Sequence, residues 1–218
     1  LSEDNFENDQ FKFGFAKFIT IDGVKIWTQR LSYVGELGYE LYVDLKDAKK
    51  KYELLIEKGK DFNLSNCGMH AMDIMRMESG FLHWGHDISP EENQFQSGLT
   101  FTISNKKEND FIGKEALKKI KSKKIDKRFI MLTLKDNKPG SPLLLHDEPI
   151  YFKDKIIGRT TSGNYSFNFK KNLAFGYIDN THSTERLLGD DLFIEVEKKK
   201  YQAQIIQKPL KQSNFKNI

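Results

Sequence analysis

The sequence predicts an α+β protein in two parts, a mixed helix-and-sheet region followed by an all-β module. Three observations carry that prediction. Residues 24–30 alternate as a half-buried strand leading into a hairpin, and after Val43 the apolar residues take a helical spacing through residues 48–56, the change of period that marks strands followed by a helix. From Arg128 onward the chain breaks into short apolar, β-branched and aromatic runs separated by turn residues, which read as strands. Between the two lies a lysine-rich segment, 122–127, suited to a boundary. We therefore expect one region over residues 1–124 and a second over 125–218, the latter a small barrel or a sandwich.

In chain order, the aromatic run Phe11-Lys-Phe13-Gly-Phe15-Ala-Lys-Phe18 is followed by the turn pair Asp22-Gly23 and by residues 24–30, which alternate as a half-buried strand. Next comes Leu31-Ser-Tyr-Val-Gly-Glu-Leu-Gly-Tyr-Glu-Leu-Tyr42, expected to be a strand, a tight turn and a second strand. Gly35 and Gly38 suit a turn that needs positive φ or close backbone approach. In an extended segment Glu40 and Tyr42 share one face, with Leu41 and Val43 on the other. Tyr33, Tyr39, Tyr42, Glu36 and Glu40 offer stacking faces and carboxylate acceptors to a planar ligand. The same residues also make an ordinary hairpin with aromatic cross-strand pairs.

Ala48, Tyr52, Leu55 and Ile56 predict an amphipathic helix, capped by Asp44 or Asp47 and ended by Gly59. Met69, Met72, Met75 and Met77 surround a second helix with apolar groups and predict its burial between layers. On that helix Asp73 is placed to pair with Arg76, either as an internal ion pair or in contact with a ligand. His83, His86 and Asp87 approach metal-ligand spacing, but no further ligand cluster accompanies them and no metal is expected. Residues 95–103 read as a strand, and 109–117 as a turn into a short helix with Ile112, Ala116, Leu117 and Ile120 on its apolar face. The six runs of the second region are 129–134, 148–152, 156–162, 173–178, 192–196 and 201–207, split by Asp154, Gly163-Asn164, Gly189-Asp190 and Lys198-Lys-Lys200.

A chain of 218 residues with 38% apolar content can bury a sizeable core. The single cysteine, Cys67, excludes an internal disulfide and favours a reducing compartment. No run is long enough to span a bilayer, so a cytoplasmic protein without a membrane partner is expected. The net charge of +4 comes from lysine far more than arginine, whereas nucleic-acid readers lean on arginine for bidentate contacts. The lysine clusters at 49–51, 118–119, 121–124 and 198–200 read as solvated surface, and no nucleic-acid partner is expected. A basic RNA-binding protein is the rival that a pI of about 8.9 raises. No P-loop, Rossmann glycine pattern, nucleophile elbow or Cys-x-x-Cys occurs.

Several stretches resemble one family. Tyr33-Val-Gly-Glu-Leu-Gly-Tyr-Glu40, Met75-Arg-Met-Glu-Ser-Gly80, Asp110-Phe-Ile-Gly-Lys-Glu-Ala-Leu117, Thr160-Thr-Ser-Gly163, Ala174-Phe-Gly-Tyr-Ile178 and Ile205-Ile-Gln-Lys-Pro209 are similar, in that order, to motifs of the glycine-cleavage T-protein (aminomethyltransferase) superfamily. The phrase Trp84-Gly-His-Asp87 and the 31–42 stretch most resemble the folate-binding C-terminal region of dimethylglycine and sarcosine dehydrogenases. Ala71-Met-Asp73 stands where a free T-protein usually has Ala-Arg-Asp, which favours the dehydrogenase-associated branch.

The resemblance implies a T-protein-like folate-binding α/β region, incomplete at its N-terminus, followed by a small antiparallel β-barrel. It implies a tetrahydrofolate-dependent one-carbon transferase serving dimethylglycine or sarcosine demethylation. The alternatives are a glycine-cleavage aminomethyltransferase proper and a non-catalytic folate-binding relative. By resemblance Tyr33 lines the pterin, Glu40 accepts its N–H groups, the backbone of Leu41 and Tyr42 lies beside it, and Phe81 and Phe101 match pocket aromatics. Glu36, Asp73 and Arg76 are assigned to scaffolding. The partners implied are folate and a one-carbon donor amine of dimethylglycine, sarcosine or glycine type. FAD enters only through a flavin domain upstream or on another chain. The family's catalytic aspartate is expected in an N-terminal region that this chain starts too late to contain, so no catalytic residue is assigned.

Overall fold

The computed structural model describes residues 1–104, 109–136, 138–181, 187 and 191–212. Two compact units divide the chain, one from residues 1–79 with the 211–218 segment, the other from residues 80–210.

The first unit is built on a three-stranded antiparallel sheet, β1 (Ala16–Ile21), β2 (Val24–Gln29) and β3 (Glu40–Tyr42), in that spatial order. Asp22 and Gly23 both take positive φ between β1 and β2, the two-residue turn whose twist matches the flanking strands. Ile19, Ile21 and Ile26 face inward with Phe11, and Phe6, Val24, Tyr39, Leu41, Val43 and Leu54 pack around them. Leu54 belongs to helix α1 (Leu45–Gly59), which therefore covers the inner face of the sheet.

The helix is present as predicted, but its covered stripe is rotated. Tyr52 is exposed, and the fully buried residue is Lys51. The Lys51 ammonium donates to the backbone oxygen and to Oδ2 of Asp22, both at 3.0 Å. That pairing corrects the reading of the 49–51 cluster as uniformly solvated: a lysine stem can be buried when its head finds acceptors.

Helix α2 (Met69–Glu78) is buried only at its C-terminal end, through Ile74, Arg76, Met77 and Glu78. Met69 is exposed, so the expectation of burial all round the helix is corrected. Apolar groups on every side do not by themselves say which side meets a neighbour.

In the second unit β4 (Lys127–Leu134), β5 (Pro149–Phe152), β6 (Lys155–Ser166), β7 (Lys171–Asp179), β8 (Leu192–Val196) and β9 (Lys199–Ile206) close into an antiparallel barrel of order β4-β7-β6-β5-β8-β9. The choice between barrel and sandwich is thereby settled. Leu132, Leu134, Ile150, Ile178, Leu192 and Ile194 fill its interior. Gly163-Asn164 is not a turn, because β6 runs on to Ser166. A Cβ on Gly163 would come within 2.6 Å of Leu144, so this glycine serves close packing within a strand. The predicted break at Gly189-Asp190 lies outside the described residues.

Residues 95–103 are not a strand. They fold into local turns, with Ser97 N donating to Asn93 O at 3.0 Å and Thr102 N to Leu99 O at 3.0 Å, and with the Asn93 side chain accepting from Phe95 N and Gln96 N. An Asn that bonds its own downstream backbone offers a turn in place of a ladder. Helix α3 (Lys114–Lys121) follows. Leu117 and Ile120 are half-buried as expected, whereas Ile112 and Ala116 are exposed. Bonds from this stretch hold it to the barrel: Phe129 N donates to Gln96 O at 2.8 Å, and Lys127 Nζ to Glu92 at 2.6 Å.

Candidate functional site

The stretch expected to be a hairpin is a strand reached through a long loop. β2 ends at Gln29 and β3 begins at Glu40, so residues 30–39 are irregular and the expected first strand and tight turn are corrected. The loop is nonetheless tied down. Arg30 is buried and donates to Phe11 O at 2.6 Å. Ser79 Oγ donates to Val34 O at 3.3 Å, and Lys211 pairs with Glu36. Gly35 takes φ +70°, open to glycine at no steric cost. A Cβ on Gly38 would meet the Leu31 carbonyl oxygen at 2.5 Å. The two glycines thus split the two roles that the sequence offered them.

The loop delivers β3 with its alternation intact. Leu41 and Val43 pack into the core, while Glu40 and Tyr42 stand exposed on the outer face. Tyr42 OH donates to Glu40 Oε2 at 2.7 Å, and that bond to the carboxylate raises the phenol's pKa above its usual value. Tyr39 points the other way, its ring 5.2 Å from Phe6 and 5.5 Å from Phe11. Tyr33 is half-buried in the loop. Register places Trp27 opposite Tyr42 and Phe18 opposite Trp27, with the Phe18 and Trp27 rings 4.9 Å apart at 62°. A carboxylate and a row of three aromatic rings therefore occupy the open face of one small sheet. A cavity of about 700 Å³ in this unit opens on the opposite side and is lined mainly by apolar groups such as Phe6, Ile19 and Leu55. It lacks Glu40, and its lining suits core packing better than recognition of a polar heterocycle.

On α2, Arg76 is buried and donates through Nε and Nη2 to Asp73 Oδ1 at 2.9 and 2.7 Å, the pairing expected from the spacing. Phe81 and Phe101 belong to the second unit, the first half-buried and the second exposed in a short 3₁₀ turn at Thr100–Thr102. Also there, the buried Asp87 accepts from Thr161 Oγ1 at 2.5 Å, Ser162 Oγ at 2.8 Å and His83 N at 2.9 Å. Those bonds commit its carboxylate to holding the 83–88 turn on the barrel.

The sequence model of the GCVT N-terminal domain matches residues 1–107, and that of the glycine cleavage T-protein C-terminal barrel domain matches residues 127–211. The chain belongs to the glycine-cleavage T-protein superfamily. It is 36% identical over 212 residues to rat mitochondrial dimethylglycine dehydrogenase, a match that covers 96% of this chain and 24% of that protein. It is 32% identical to the 4-methylaminobutanoate oxidase (formaldehyde-forming) of Paenarthrobacter nicotinovorans, again over 96% of this chain and 24% of the relative. The aminomethyltransferase of Alkaliphilus metalliredigens is 32% identical, with 99% of this chain and 56% of that enzyme covered. The chain thus spans about a quarter of the oxidative relatives and about half of the aminomethyltransferase. The crystal structure of glycine cleavage system aminomethyltransferase T from Bartonella henselae shares the fold, with a TM-score of 0.76 at 22% identity over 93% of this chain and 53% of that one.

Sequence reasoning chose Glu40 and Tyr42 and missed what the sheet sets beside them. Trp27 enters the sequence reading only as a strand residue, and Phe18 only as the end of an aromatic run. The alternation of 24–29 with the turn at Asp22-Gly23 fixes the register that brings them together, so the signal was available.

Proposed function

We propose that this chain is the tetrahydrofolate-binding part of a one-carbon (aminomethyl or methylene) transferase, linked to oxidative demethylation of dimethylglycine or sarcosine. The observation that carries the reading is the pairing of Glu40 with Tyr42 on the open face of the sheet. Glu40 Oε2 accepts the Tyr42 hydroxyl, and Oε1 has no partner among the described residues. A carboxylate so placed can accept N–H groups of a pterin edge, while the aromatic rings beside it offer stacking surface. The acceptor and the aromatic face therefore fit the ligand. Bound tetrahydrofolate supplies the amine that takes up the one-carbon unit, and the chain's own part is to bind and orient it.

In this reading Tyr33 lines the pterin, the backbone of Leu41 and Tyr42 runs beside it, and Phe81 and Phe101 contribute aromatic surface from the following segment. Glu36, Asp73 and Arg76 shape the loop and helix. The division at 124/125 belongs to the same reading, and is supported by the gap between the two matched family domains. The dimethylglycine dehydrogenase relatives support the demethylation link and a flavin domain elsewhere in the system. A cytoplasmic location is supported by the single cysteine; no helix among the described residues is long and apolar enough to cross a membrane. Direct measurement of tetrahydrofolate binding to the protein and to its Glu40→Gln variant tests the proposal.

A further inference from the structure

A cavity of about 340 Å³ in the second unit is lined by the 85–92 segment and by the ends of β4, β6 and β7. Five of its side chains are carboxylates, Asp87, Glu91, Glu92, Asp126 and Asp179, against the cations Lys127 and Arg159. Both cations are already matched, Lys127 by Glu92 and Arg159 by Asp147. The Glu91 carboxylate is exposed and has no partner among the described residues. The lining therefore keeps negative charge to balance. Tyr177, at the end of β7, points independently to a ligand. It is only 7% exposed, its ring stands edge-on to Phe129 at 5.7 Å, and the Lys127 ammonium lies 5.1 Å from its centre. Its hydroxyl is buried and bonds to none of the described residues, whereas a buried hydroxyl ordinarily finds a partner. Burial first, and then the charges of Glu92 and Asp87, push its pKa up. It thus keeps its proton and presents oxygen lone pairs to the cavity.

We propose that this cavity binds a small aliphatic ammonium ion, its nitrogen between the Tyr177 hydroxyl oxygen and Glu92, with Glu91 and Asp179 completing the negative surround. An ammonium group carries donors only, and the lining offers it acceptors. A metal ion suits the site less well, because among the described residues no group of three or more His, Cys, Asp or Glu side chains could hold one. The alkyl part has apolar surface on Ile157 and the Tyr177 ring. A ligand that also carries a carboxylate meets like charge here, which separates this site from the amino-acid donors of the folate reading. The site lies wholly within the barrel unit and does not depend on that reading.

The test titrates the whole chain with n-butylammonium chloride, with sodium chloride at equal ionic strength as control. Binding is read from the ligand's own NMR signals and from the ring carbons of labelled Tyr177. A saturable shift of Tyr177 is expected with butylammonium and not with sodium. 4-Aminobutanoate, which adds a carboxylate to the same amine, should bind about tenfold more weakly. Tyr177→Phe keeps the ring and removes the acceptor, and should weaken butylammonium by about fivefold. Because its hydroxyl bonds no described residue, the same variant should melt at or above the parent's temperature when no amine is present. Glu91→Gln, on an exposed side chain, should weaken binding by about threefold at low salt and less at high salt. No saturable shift, equal binding of the two amines, or unchanged affinity in Tyr177→Phe would overturn the site. A lowered melting temperature of Tyr177→Phe without amine would also overturn it, by showing that a buried water already serves the hydroxyl.

Discussion

Lys51 and Asp22, apart in sequence, meet where α1 crosses the β1–β2 turn. The buried ammonium of Lys51 donates to both the backbone oxygen and the carboxylate of Asp22 at 3.0 Å. This contact fixes the helix against the end of the sheet whose other face carries Glu40. Lys51→Ala removes a packed stem and two charge-assisted bonds, and is expected to cost about 2 kcal/mol. Chemical denaturation of the two proteins measures it, and Lys50→Ala, on an exposed neighbour, should cost far less.

The same contact has a pH signature. The hydrogen bond from Lys51, and then that from Lys50, holds the Asp22 carboxyl below its usual range. A carboxyl whose folded pKa is depressed adds stability that is fully present above the unfolded value, and loses it as pH falls through the folded one. The β1–β2–β3 unit should therefore lose stability in acid below about pH 4, and Asp22→Asn should flatten that part of the profile.

Tyr42 titrates high because its hydroxyl bonds Glu40. In Glu40→Gln the Tyr42 phenol should ionise closer to its ordinary range, read from the ring carbon shift of labelled tyrosine in NMR. An unchanged Tyr42 titration would show that the two side chains do not share this proton in solution.

The loop at 30–39 depends on two glycines for different reasons. Gly38→Ala forces a methyl against the Leu31 carbonyl oxygen and should destabilise by about 1–3 kcal/mol. At Gly35, φ +70° admits asparagine better than a β-branched residue, so Gly35→Asn should be milder than Gly35→Val. Thermal melts of the three variants give the order.

Asp87 is a different kind of residue from Glu40. It is buried, and its carboxylate holds Thr161, Ser162 and the His83 amide. Asp87→Ala leaves those donors in the interior and should cost about 3 kcal/mol, with Thr161→Val costing less. Denaturant titration of both variants distinguishes this anchoring role from one in binding.

Much of this architecture was legible in the sequence, and the exceptions have physical causes. The barrel strands were readable because short apolar runs alternate between turn residues, and the first helix because its period changes cleanly after Val43. The face shared by Glu40 and Tyr42 followed from strand parity alone. The loop before it was misread because Leu31, Tyr33 and Leu37 supply apolar spacing without a partner strand. Lys51 was hidden because a buried lysine looks like a solvated one until its acceptor is known. Asn93 drew residues 95–103 into turns by bonding local backbone, against a pattern that suits a strand. Gly163 marked close packing where a turn was expected, since glycine serves both purposes.

The most direct test of the account is the affinity of tetrahydrofolate for the protein and for Glu40→Gln, measured by titration calorimetry on folded samples of each. Glu40 is exposed, so the variant should fold and melt as the parent does. Loss of a charge-assisted acceptor predicts binding weaker by roughly ten- to a hundredfold. Equal affinities for the two proteins would contradict the assignment of this sheet face to folate.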